Sequence, residues 1–125
     1  MAVKNKKLKC FYVETTKVKP LQILARRYIH SQASGGFWCS VRDLSQKERL
    51  ANEAVGHETV VTFIVGFNPK ILQMWEKLTL VDEQGRTYTI KEKPDEFDYT
   101  KQDIKIRAYE FKDERTYQGG DTYET

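Results

Sequence analysis

A chain of 125 residues fits one domain, large enough to bury about two-thirds of the surface its unfolded form would expose. With 39% hydrophobic and 31% charged residues, the composition is that of a globular protein with a polar surface, which excludes a chain disordered throughout. The net charge of +3 hides a split, since residues 1–49 carry 11 Lys or Arg against 3 Asp or Glu, whereas residues 50–125 carry 10 against 15.

Such a split suits a basic surface that meets phosphate, or two faces that meet complementary neighbours. Chance segregation of surface charge is the plainer reading. The opening MAVKNKKLKC is basic but is not followed by the apolar stretch of a secretory signal. The longest apolar run, VVTFIVGF at residues 60–67, is far below the ~20 residues of a membrane-spanning helix. A soluble, cytosolic protein is therefore expected. Cys10 and Cys39 form no C-x-x-C pattern, so reduced thiols are expected rather than a zinc ribbon or redox pair.

In chain order, LKCFYVET (8–15) alternates, with Phe11 and Val13 on one side and Leu8, Cys10 and Tyr12 on the other. A short strand follows around Val18 to Leu24, with Pro20 at an edge position. ARRYIHSQASGG (25–36) has no clear period and reads as a long loop. Phe37, Cys39 and Val41 then share one face of a strand, and Trp38, Ser40 and Arg42 the other. Cys39 falls in the apolar phase, where a free cysteine acts as a small buried hydrophobe.

Ser45 to Glu48 is a capping box, opening a helix at about Gln46 to Ala54 whose stripe is Leu50, Ala51, Ala54 and Val55. So short a helix must lie on something, and Trp38 is the expected floor. His57 to Phe67 is the strongest strand, apolar on both faces and therefore central. KILQMWEK is ambiguous between a helical turn and an extended piece. Residues 78–92 have the form of a hairpin turning at Gly85, and DIKIRAYE (103–110) closes the sequence of strands with Ile104, Ile106 and Ala108 inward. About six short strands with one inserted helix predict a mainly β fold, a small antiparallel barrel or sandwich. The domain is expected over 1–110, followed by a polar, flexible tail at 111–125 that orders on a partner.

Chemistry is sparse. A nucleophilic Cys39 would need His30 or His57 as base, but its interior phase favours an inert thiol. The two histidines lack metal-ligand spacing, and Asp95, Glu96, Asp98 and Asp103 lack the pattern of a calcium loop. No phosphate-cradling or nucleophile-elbow motif occurs, so neither an enzyme nor a cofactor is expected. Lys4, Lys6, Lys7 and Lys9, with Arg26, Arg27 and Tyr28, could instead contact nucleic-acid phosphates without reading sequence.

FWCSVRDLSQKE, TVVTFIVGFNPKI, LTLVDEQGRTYTIKE and DIKIRAYE, in that order, resemble the phage head-tail joining family, also called head completion, head closure or stopper proteins. The motif positions are Trp38, Cys39, Ser40, Val41, Arg42, Glu48, Gly85, Tyr88, Ile90, Ala108 and Glu110. Cys39 stands where the family often has alanine. The resemblance implies a β-barrel that forms a dodecameric ring beneath the portal and adaptor rings of a virion, after assembly from the host cytoplasm. It implies retention of packaged double-stranded DNA, a docking surface for tail or tail-terminator proteins, and no membrane partner. By position, the segment from Leu24 to Gly36 corresponds to the channel plug, with Arg26, Arg27, His30, Ser34, Gly35 and Gly36 as its candidate residues. A free, non-specific nucleic-acid-binding barrel is the alternative.

Overall fold

Period-two burial is the organising rule of the molecule. The computed structural model describes residues 4–18, 21–43, 59–96 and 102–124. Its described strands are β1 (Lys6–Val18), β2 (Leu21–Tyr28), β3 (Phe37–Asp43), β4 (Val60–Gly66), β5 (Thr79–Val81), β6 (Thr87–Ile90), β7 (Asp95–Glu96), β8 (Asp103–Phe111) and β9 (Asp121–Thr122). The order β3-β4-β8-β6-β5-β1 returns to its start through β1–β3 pairing, closing a six-strand antiparallel barrel.

Registers place the predicted apolar phases inside. Phe63 lies opposite Ile106, Val65 lies between Cys39 and Ile104, and Leu80 lies between Cys10 and Tyr88. All of these side chains are buried, and Phe63 meets Tyr88 edge to face with ring centroids 5.1 Å apart. On the outer face of β4, Ile64 is also buried, which accounts for a strand that is apolar in both phases. The ambiguous segment after Asn68 is helical: α1 (Pro69–Met74), then a 3-10 turn at Trp75–Lys77. Asn68 accepts a hydrogen bond from the Lys70 amide, and Pro69 occupies the first turn, where a missing amide proton costs nothing. The helix sits between β4 and β5 and drives Ile71 into the core, with Leu72, Met74 and Trp75 packed against it.

β1 has two roles along its 13 residues. Lys6–Leu8 pair with β3 and Lys9–Phe11 with β5, so its first half belongs to the barrel. From Phe11 to Val18 it pairs with β2 across eight positions, forming an arm.

Several expectations change. Residues 25–28, read as loop, belong to β2, and Val18 belongs to β1 rather than to a separate short strand. Arg26 and Arg27 occupy both phases of β2 and hide its alternation from a hydrophobicity reading. Trp38, expected under a helix, is 55% exposed and has the Lys7 ammonium 4.0 Å from its ring centroid, because β3 turns it to the outside opposite Lys7. The capping box with Glu48, the helix after it, His57 and Asp98 lie outside the described residues. The segment after β8, expected to need a partner for order, runs back to β2 and pairs with it in parallel through β9.

Candidate functional site

Two places concentrate polar chemistry: the mouth of the barrel and the arm. At the mouth, a cavity of about 290 Å³ has Cys39, Val41, Val61, Phe63 and Tyr88 among its lining, with Lys6, Lys7, Asp82, Glu83 and Arg86 at its rim. Asp82 builds that rim. Its Oδ1 accepts from the Gln84 and Arg86 amides, and its Oδ2 accepts from Arg86 Nε at 2.8 Å and Tyr88 Oη at 2.9 Å. The Gly85 amide donates to the Asp82 carbonyl, and Gly85 takes φ +81, which the tight turn requires of it. The predicted turn residue, Tyr88 and Ile90 are thus parts of one hairpin rather than reactive groups.

Burial pushes the Cys39 thiol up to about 11, with nearby Glu83 and Asp82 adding to the effect. A thiol so placed stays protonated at neutral pH and is a poor nucleophile. Among the described residues that line the cavity there is no histidine. Cys10 is pushed up still further by its burial. Among the described residues, no group of His, Cys, Asp or Glu is arranged to hold a metal, and Asp103 of the acidic set is paired with Lys4 at 2.6 Å.

The residues proposed for the plug lie on the arm and just beyond it, in four different settings. Arg26 faces the returning segment: its Nε donates to Asp121 Oδ1 at 2.8 Å, and its guanidinium lies 4.7 Å from the Tyr117 ring centroid and 5.8 Å from that of Phe11. Arg27 points to the other face with Tyr12 and Thr122, half-buried and without an ion pair to another described residue. His30 is only 6% exposed, ringed by Tyr28, Phe37 and Tyr123. Its Nδ1 lies 3.1 Å from the Ser31 carbonyl, while Nε2 is buried with no partner. Desolvation holds its pKa below the ordinary value, with Lys9 and Lys7 contributing, against the opposing Ser31 carbonyl and Glu124.

Ser34, Gly35 and Gly36 form a turn fastened to β1. Ser34 Oγ donates to the Ser31 carbonyl at 2.8 Å, and the Ser34 carbonyl accepts from Lys7 Nζ at 2.7 Å. Gly36 has φ +124, and a Cβ there would sit 2.6 Å from the Leu8 carbonyl oxygen. Gly36 therefore serves close packing, whereas Gly35, with open space around its Cβ position, serves the turn through its φ of +71. Val41 and Arg42 are exposed on β3.

The returning segment, which sequence reasoning set aside as a loose tail, completes this region. Tyr123 stacks on Tyr28 at 4.7 Å, and Tyr117 meets Phe11 edge to face at 5.8 Å. The Gly119 amide donates to the Leu24 carbonyl, the Arg26 amide to the Gly120 carbonyl, and the Glu124 amide to the His30 carbonyl. Glu124 also pairs with Lys70. Upstream, burial and a hydrogen bond to Asp113 push the Tyr117 phenol up to about 12, so it remains a donor. Burial acts to raise the Asp113 pKa, but hydrogen bonds from Arg115 and Tyr117 outweigh it and hold the carboxylate ionised. The regular placement of Tyr117 and Tyr123 around Gly119-Gly120 was the available signal: aromatics flanking glycines suit a strand laid closely against another.

Among the described residues, the arrangement is one of contacts and closures. A family profile described as "Phage head completion protein" matches residues 25–111, and no curated protein matches the chain.

Proposed function

Because the chain belongs to the phage head completion protein family, and so to the structural components of a virion, we propose that it acts as a head-tail connector. In this reading, copies form a ring below the portal and adaptor, retain packaged double-stranded DNA and offer the surface on which a tail docks. The observation that carries it is the arm: a paired extension of a closed barrel, with Arg27 half-buried on the face opposite the Arg26–Asp121 pair. Cations on an arm that reaches into a channel would meet phosphates and neutralise them. The segment from Leu24 to Gly36 is the proposed DNA-facing part, with Arg27 its leading contact. A head-to-tail ring needs two complementary patches on each copy, and the uneven charge along the chain agrees with that need.

Deletion of the gene from its phage, followed by electron microscopy, tests the reading. Separate tails and heads that have lost DNA are expected, while normally joined virions would reject it. The alternative, a free nucleic-acid binder, draws on the exposed Trp38 with Lys7 over its ring. It requires the isolated monomer to bind DNA with affinity that falls steeply as salt rises.

A further inference from the structure

The segment after β8 is not one of the strands that close the barrel. β9 pairs with β2 alone, and the stretch matched by the family profile stops at Phe111, where this segment begins. We propose that neighbouring copies exchange it, residues 113–124 of one chain seating on the β2 edge of the next in the parallel pairing seen within a single chain. The inference deepens the ring reading and rests on it for the closeness of the copies.

Two observations and one principle carry it. First, the segment is separable. Asp113, Arg115 and Tyr117 hydrogen-bond chiefly among themselves, the direct hydrogen bond from Arg115 to the barrel is a 3.4 Å contact of Nη2 with Thr79 Oγ1, and the packing of Tyr117 on Phe11 and Arg26 belongs to the arm that forms the seat. A pivot near Lys112, which is exposed, would carry the remainder as a unit. Second, the seat is fitted to this sequence. A Cβ at Gly119 would lie 2.8 Å from Ala25 Cβ, Asp121 meets Arg26, and Tyr123 lies flat on Tyr28. A generic extended peptide lacks that glycine, that carboxylate and that ring at the required spacing, whereas a second copy has all three. Third, the contacts are the same within or between chains, so proximity decides which are made. One donor segment and one acceptor edge per copy suffice to link each subunit to the next and close a ring.

The test uses the directly paired positions Arg27 and Thr122. Arg27→Cys and Thr122→Cys are made in separate full-length chains, which are refolded together at high concentration and oxidised. The buried native thiols stay out of the reaction. A covalent heterodimer carrying the 27–122 link, identified by peptide mapping, is expected. The chain with both substitutions, oxidised when dilute, should close the same link internally. Internal closure without any heterodimer would overturn the exchange, and failure of both would overturn it by removing the seat itself. Neither failure touches the connector reading, which is judged on joined virions.

Discussion

The barrel interior and the seat of the returning segment are held by different physics. Inside the barrel, Val65, Ile104, Ile106 and Leu80 are wholly buried and paired in register on neighbouring strands, so hydrophobic burial and ladder hydrogen bonds act together. On the arm, a two-residue parallel bridge, a stacked pair of tyrosines and half-exposed ion pairs do the holding. Surface pairs of this kind contribute little individually, and aromatic stacking adds about 0.5–1.5 kcal/mol beyond burial. The comparison teaches that one region is made to persist and the other to open at modest cost, within a single continuous sheet.

That contrast can be broken or sharpened in stages. Ile106→Ala should cost the most, about 2–5 kcal/mol of global stability from lost transfer energy and a residual cavity, read by denaturant melting. Gly119→Val forces a side chain against Ala25 and the Leu24 carbonyl. It should release residues 117–124, seen as faster amide exchange there, while the barrel melts almost unchanged. Acidification should act on the same seat through His30. Its folded pKa lies below the unfolded value of ~6.5, so the unfolded state binds the proton more readily. The stability that neutral His30 contributes is present above that value and is lost as pH falls below it. Amide protection at Glu124 should drop with it, and pH-independent protection would contradict the reading. Asp121→Asn should weaken the seat by only about 0.2–1 kcal/mol, an effect that disappears in high salt. Smallest of all, Cys39 should resist thiol reagents at pH 8 until the barrel unfolds; rapid labelling of the native protein would show the mouth to be more open than the buried sulfur implies.

The barrel was legible in the sequence because its strands obey one period. Val61, Phe63 and Val65 on β4 and Ile104, Ile106 and Ala108 on β8 alternate cleanly, and Gly85 marks their neighbouring hairpin. β2 was not legible beyond Leu24: Arg26 and Arg27 put a cation in each phase, and Arg26 is accommodated by Asp121, 95 positions away. A local pattern cannot report such a partner. The polar composition of residues 111–125 describes solvation and carries no sign of the β2 edge on which β9 lies. Strand phase already put Trp38 with Ser40 and Arg42 on the outer side; its hydrophobic area then suggested a helical cover, whereas the ring is 55% exposed beside Lys7. Among the candidates chosen by position, the sequence offered no sign that Arg26 would pair with Asp121 and His30 be buried while Arg27 took the opposite face.

A final consequence lies in the continuity of β1. One unbroken strand of 13 residues, roughly 43 Å at the usual rise, is both a stave of the barrel and one rail of the arm. Force applied at the far end of that rail is therefore delivered straight into the seam with β3 and β5, where rows of ladder bonds oppose sliding together instead of parting one by one. Barrel wall and arm thus share one backbone, so neither can shift without straining the ladder of the other.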